Sequence, residues 1–286
     1  MTDTAFRLIR PAKQDTSVVF ASPHSGRDYP PAFLAASQLD TAQLRSSEDA
    51  YVDRLFARAP WYGAPLLCAL VPRAYVDLNR ASDELDPAVI EGLQRAAHNP
   101  RISSGLGVIP RVVASSRAIY RGKITPMDAQ RRLDLYWHPY HDALQSLLNS
   151  THDSFGEAIL IDCHSMPHEA IEMHARANKP KPDIVLGDRF GAAAAREVVD
   201  QIEAIFSSEG FRVARNAPFA GAYIAQHYGQ PQSRRHVVQV EIDRSLYLDE
   251  ARVEPSSRFA AMSVHMNRVV GRIAQIGRRA VPMAAE

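Results

Sequence analysis

The chain has 286 residues, 46% hydrophobic and 23% charged, with a formal net charge of +1. That is the balance of an ordinary globular protein, and a near-neutral chain without a basic stripe disfavours nucleic acid or an anionic membrane as partner. The absence of any apolar run near ~20 residues argues against a membrane span, and the acid-bearing N-terminus does not read as a signal peptide.

Short runs rich in Val, Ile and Leu predict strands over residues 17–21, 65–71, 74–78, 158–163, 183–186, 211–214 and 236–242. They are mostly apolar on both faces, which suits a sheet covered on both sides. Helices are expected between them. Residues 46–49, SSED, have the form of a capping box, and Tyr51, Val52, Leu55 and Phe56 follow at helical spacing. Residues 126–150 form a long amphipathic pattern with Leu133, Tyr140, Leu144 and Leu147 on one stripe. Two more helices are expected over 188–208 and 255–277. Residues 95–122, with Asn99-Pro100, Gly105, Gly107 and Pro110, lack periodicity and read as a loop-rich insertion over the sheet edge. The last nine residues, 278–286, are expected to fray.

This order predicts an α/β fold: one domain spanning 1–286, a three-layer αβα sandwich with a mixed, largely parallel sheet. The two cysteines, Cys68 and Cys163, lie in apolar runs, so buried thiols and a cytoplasmic location fit better than disulfides.

His24 and His164 each stand where an apolar strand runs into Ser, Pro or Gly. Residues at such strand ends face the crevice where open α/β sheets bind ligands, and two imidazoles there point to a divalent metal, zinc foremost. The third ligand is expected from Glu48 or Asp49. Asp49 could equally bond the start of its own helix. His168 and His174 are rivals, but Pro167 keeps His164 and His168 off a common helix face. On strand 158–163, alternation turns Cys163 away from Asp162 and His164, which leaves Asp162 either to orient an imidazole or to serve equally well in the core or as a helix cap.

Residues 75–80, YVDLNR, end an expected strand in Asn79 and Arg80, a pair suited to holding a carboxylate. Glu241 interrupts the apolar strand 236–242. A carboxylate there must be paired, protonated or at work, because burying it alone costs several kcal/mol. As general base it would take a proton from an attacking water. Asp243 and Arg244 are expected to pair with each other.

Seven segments together, SPHSGRDYP, SEDAYVDRLF, VDLNR, IDCHSMP, DIVLGDRFG, NAPFAGAYIAQHYG and VEIDRSLYLDE, resemble the N-formylglutamate amidohydrolase (deformylase) family in order, from about Ser22 to Glu250. The resemblance implies a fold related to zinc carboxypeptidases and one Zn2+ ion. It also implies hydrolysis of N-formyl-L-glutamate to formate and L-glutamate, the last step of a histidine-degradation route. It matches His24 and His164 to the metal histidines, Glu48-Asp49 to the third ligand, Asn79-Arg80 to a substrate-carboxylate clamp and Glu241 to the base. The chain departs from the carboxypeptidase pattern in having Arg27, not Glu, three residues after His24.

A substrate with two carboxylates calls for a second cation, and Arg111, Arg117, Arg121 and Arg215 are candidates. Gly221 and Tyr223 could wall the small acyl side of the pocket. The alternatives are a related zinc amidohydrolase acting on another N-acyl amino acid or a peptide terminus, and a non-catalytic carboxylate-binding protein. Oligomeric state is not legible.

Overall fold

The computed structural model describes residues 4–94, 99–174 and 181–278. The expected fraying of the last residues therefore falls almost wholly outside the described residues, as do positions 95–98 of the loop-rich segment. Seven strands form one sheet: β1 (Phe6–Ile9), β2 (Val18–Ser22), β3 (Leu66–Ala69), β4 (Ala158–Met166), β5 (Ile184–Gly187), β6 (Val213–Arg215) and β7 (Arg235–Asp243). Their order is β1-β3-β2-β4-β7-β5-β6. Four of the six neighbouring pairs are parallel; β1 with β3 and β5 with β7 are antiparallel. The sheet is thus mixed and mostly parallel, as expected.

Alternation divides the sheet into two cores. Val18, Phe20, Ile159, Ile161, Cys163, Val238 and Val240 pack on one face with the helices Arg196–Ser208 and Phe259–Ile276. Val19, Ala21, Leu160 and Val237 pack on the other with Tyr140, Leu144, Leu147 and Leu148 of the helix His138–Phe155. Burying each such leucine contributes about 2 kcal/mol. Cys68 and Cys163 are free and buried. Cys163 lies on the first face and Asp162 and His164 on the second, as the strand period requires.

Several elements differ from their expected form. The helix 126–150 runs further, from Pro126 to Phe155, with a π turn over Leu133–Trp137. Pro139 has no N–H to return to residue 135, and the ladder adapts with a bond from His138 N–H to Leu133 O. Residues 46–49 do not start a helix: Ser46 caps the C-terminus of Thr41–Arg45, and the next helix, Val52–Leu55, begins only after Tyr51 in the left-handed region (φ 64°). The capping box of this region is Asp40 with Gln43. The helix expected from 188 starts at Arg196, because Arg189, Phe190 and Gly191 take positive φ (53°, 58° and 88°). The closing helix is Phe259–Ile276.

Residues 74–78 are not a strand. Tyr75 and Val76 N–H turn back to Pro72 O, and Asp77 Oδ1 accepts Asn79 N–H at 2.9 Å. Such local bonds compete with a ladder, and β3 already has a neighbour on each side. Edge strand β1 was not anticipated; only four residues long, its segment gives little periodic signal. Of the loop-rich segment, residues 99–122 carry a short helix, Pro100–Ser103, and a 3-10 turn, Ala114–Ser116. It lies over the strand ends rather than the sheet edge: Arg101, Leu106, Val112 and Ser116 line the same cavity as His24 and His164. No helix of the described residues is long and apolar enough to cross a membrane.

Candidate metal centre and its pocket

After β2 the chain moves outward to β3, and β4 lies on the other side of β2. This reversal makes a crevice beyond the carboxyl ends of β2 and β4. His24 follows β2, and His164 sits near the end of β4. Asp49 joins them through its backbone, since its N–H donates to His24 O at 3.0 Å. One ligand atom from each of His24, Asp49 and His164 lies within 4.8 Å of the others, and all three residues are buried.

His164 Nδ1 is 2.8 Å from Asp49 Oδ2, and His24 Nδ1 is 3.3 Å from the same oxygen. Behind the imidazoles stand two more carboxylates: His24 Nε2 lies 2.7 Å from Asp77 Oδ1, and His164 Nε2 3.1 Å from Asp162 Oδ1. With each Nε2 turned to an aspartate, both Nδ1 atoms face the shared centre. His24 Nδ1 is buried without a hydrogen-bond partner. A buried orphan lone pair beside a carboxylate and a second imidazole fits a divalent cation, and two nitrogens with one oxygen is a catalytic zinc donor set. Burial would push the Asp49 carboxyl up, but the two imidazoles hold it well below its usual range. Burial would likewise lower His164, yet Asp162 and Asp49 raise it well above 6.5. Arg244 secures the other Asp49 oxygen at 2.9 Å and takes Ser165 Oγ as acceptor at 3.1 Å.

Glu48 does not join this group. Its carboxylate accepts from Tyr29 Oη at 2.7 Å and Arg45 Nε at 3.1 Å, on the far side of the same turn. Adjacent residues in a turn point apart, so only one of the two acids could reach the histidines. His168 is half-exposed and bonds Asp243 at 2.9 Å through Nδ1, while the side chain of His174 lies outside the described residues. The expected Asp243–Arg244 pair does not form: Asp243 instead caps the turn at Ser245 N–H, and Arg244 goes to Asp49.

Glu241 lies opposite His164 in the β4–β7 register, so both side chains leave the same face. Gln239 Nε2 donates to Glu241 Oε1 at 2.8 Å. Burial pushes the Glu241 carboxyl up to about 7. Asn79 is the hub beside it: its Nδ2 is 3.2 Å from His164 Nε2, and its Oδ1 accepts Ile224 N–H at 2.8 Å.

These groups line a cavity of about 740 Å³, an ordinary size for a small-molecule site. Asn79, Arg80, Gly221 and Glu241 are in its wall. Gly221 is at φ 106°, and a Cβ there would meet Ala225 Cβ at 2.9 Å, so only glycine fits. Tyr223 is not in the wall; it stacks on His227 and packs against Trp137 and His141 behind it. Arg111 also turns away, paired with Asp86 at 3.0 Å. Arg117 bonds Ser46 Oγ and faces a smaller neighbouring cavity of about 360 Å³. Arg121 is exposed, and Arg215 is taken by Asp200 and Glu203.

Sequence reasoning missed Arg73, Arg101 and Gln239, all in the cavity wall, and the role of Asp77 behind His24. The four-residue spacing of Arg73 and Asp77, which pair at 3.0 Å, was the one local signal.

The model of the N-formylglutamate amidohydrolase family matches residues 16–248. The chain belongs to the N-formylglutamate amidohydrolase family. It is 30% identical over 237 residues to the N-formylglutamate deformylase of Pseudomonas aeruginosa, covering 82% of each chain. The N-formylglutamate deformylase of Pseudomonas putida is 25% identical over 236 residues, again covering 82% of each. Among solved structures, the N-formylglutamate amidohydrolase from Ralstonia eutropha JMP134 superposes with a TM-score of 0.90 at 36% identity, over 97% of this chain and 100% of that one. An Agrobacterium tumefaciens gene product, Atu2144, shares the fold at a TM-score of 0.65 and 14% identity, over 96% of each.

Proposed function

We propose that this amidohydrolase cleaves N-formyl-L-glutamate to formate and L-glutamate, and that His24, Asp49 and His164 hold a zinc ion for the reaction. The observation that carries the reading is the buried Glu241 carboxylate on the same face as His164, in a cavity also walled by Arg80. A site that only bound carboxylates would have no use for a base beside a metal. Family membership supplies the substrate class, a small N-acyl amino acid, and the Pseudomonas and Ralstonia relatives supply the formylglutamate name.

Bound zinc would supply Lewis acidity, polarising the formyl carbonyl and making water more acidic. The protein groups do the rest. Arg80, and Asn79 beside it, orient a substrate carboxylate so that the formamide carbon lies at the metal centre. Glu241 takes a proton from the attacking water as the new C–O bond forms. It then returns that proton to the amine nitrogen as the C–N bond breaks, leaving formate and the amino acid. A carboxyl raised by burial towards neutrality is suited to both transfers. Gln239 keeps one Glu241 oxygen engaged and the other free for water.

The test is formate release by the purified protein from N-formylglutamate, with and without a chelator, beside N-acetylglutamate and N-formyl dipeptides. Chelator-sensitive formate release with preference for N-formylglutamate is the expected result. A preference for another acyl group or a peptide terminus would overturn the substrate, and turnover indifferent to metal removal would overturn the metal.

A further inference from the structure

Among the described residues four arginines face the cavity, and only two of them have an ion-pair partner. Arg73 is paired with Asp77 at 3.0 Å and Arg244 with Asp49 at 2.9 Å. Arg80 donates to backbone carbonyls alone, Leu106 O and Asn79 O, each at 2.9 Å. Arg101 has no ion-pair partner among the described residues. A guanidinium cannot shed its charge, so a buried or half-buried one without a counter-ion awaits an anion.

Arg80 and Arg101 are also tied together. Arg80 Nε holds Leu106 O, and Leu106 N–H holds Arg101 O at 2.8 Å. Arg101 stands at the start of the helix Pro100–Ser103, whose first turn is fixed by Asn99 Oδ1 accepting from Arg101 N–H at 2.9 Å and Ile102 N–H at 3.4 Å. Arg111 ties the other end of that helix by donating to Ser103 O at 3.3 Å. The backbone beneath Arg101 is thus anchored while its guanidinium is left uncommitted. The cations repel one another: burial first, then the charges of Arg73 and Arg101, pull the Arg80 guanidinium below its ordinary value against the opposing charge of Asp77. A ligand with two carboxylates relieves that repulsion at both ends; a monoanion relieves it at one.

We infer that Arg101 is the second carboxylate anchor of this cavity and the residue that makes the enzyme prefer an acidic side chain on its N-formyl substrate, with Arg80 holding the other carboxylate. The inference rests on the proposed formylglutamate activity and adds the residue that selects the side chain. Arg101 lies on the loop over the strand ends, remote from the metal ligands in sequence, so it can set substrate choice without supporting the centre.

The experiment compares N-formylglutamate with N-formylglutamine, which has nearly the same shape but no side-chain charge, using the metal-loaded full chain. The readout is the ratio of their kcat/KM values. Wild type should favour the glutamate. Arg101→Gln should shrink the ratio by about tenfold or more, chiefly through KM for the glutamate, as expected on losing a charge-assisted pair. Arg101→Lys, which keeps the charge, should fall between the two, and thermal melting should report both variants as folded. A ratio within about threefold of wild type in folded Arg101→Gln would overturn the inference and leave formylglutamate hydrolysis standing. Equal use of both substrates by wild type would overturn it too. No formate from either substrate would sink the proposed function, and this inference with it.

Discussion

Asp77 Oδ1 lies 2.7 Å from His24 Nε2, inside a pocket that leaves His24 2% exposed and Asp77 1% exposed. Burial alone would raise the Asp77 carboxyl, but Arg73 and His24 hold it well below its ordinary value. An ionised aspartate is an acceptor for Nε2–H, an arrangement that turns Nδ1 towards Asp49 in the candidate metal centre. Asp77→Asn keeps the shape but removes the charge that selects this tautomer. Metal affinity should fall by about ten- to a hundredfold, read by chelator competition. Unchanged affinity would show that His24 is oriented by packing alone.

Glu241→Gln should retain fold and metal while kcat falls by about a hundredfold or more, the usual worth of a general base. The amide oxygen can still accept from Gln239 Nε2, so that donor keeps its partner. Metal content and melting temperature close to wild type, with turnover lost, is the expected pattern. Near-normal turnover would remove Glu241 from the mechanism.

Trp137 Nε1 donates to Arg80 O at 2.9 Å from the π turn, beneath the segment that carries Asp77, Asn79 and Arg80. Trp137→Phe deletes this donor and keeps most of the ring. Stability should drop by about 1 kcal/mol, and KM should rise by a larger factor than kcat falls, because the proposed carboxylate clamp at Arg80 loosens while the proposed metal ligands stay in place. Equal changes in both constants would assign Trp137 to general packing.

His141 gives the pH prediction. It is buried, with Nε2 2.9 Å from Leu78 O and Nδ1 2.8 Å from Tyr228 Oη, and burial pushes its pKa down to about 3. Between pH 3 and 6.5 the unfolded chain binds a proton at this site that the folded chain refuses. Its contribution to stability is therefore complete above 6.5 and declines as the pH falls towards 3. Denaturant unfolding should show about 2 kcal/mol lost from this site between pH 7.5 and 5. The His141→Gln variant should lack that part of the slope; an identical slope in the variant would assign the acid sensitivity to other groups.

The elements that were legible in the sequence are those written in local pattern. Apolar runs located six of the seven strands of the large sheet, and their period turned Cys163 to one face and Asp162 and His164 to the other. Residues 74–80 misled because Tyr75, Val76 and Leu78 are apolar for a different reason: they cover the second core from a turn. The π turn was hidden because its cause, one missing N–H at Pro139, alters the ladder without breaking the amphipathic stripe.

By itself the sequence determined the α/β class, the strand-end positions of His24 and His164 and the acid inside β7, because each depends on neighbours a few residues away. Only the tertiary structure could show which of Glu48 and Asp49 stands beside the two histidines, since that turns on which way one turn faces a strand more than a hundred residues distant. The partners of the arginines were decided the same way. Arg111, Arg117 and Arg101 share one loop and look alike in sequence, but Asp86 draws the first away, Ser46 and Ala114 the second, and the third has no ion-pair partner among the described residues. Charge pairing acts through space, and chain order carries no record of which carboxylate a guanidinium will meet.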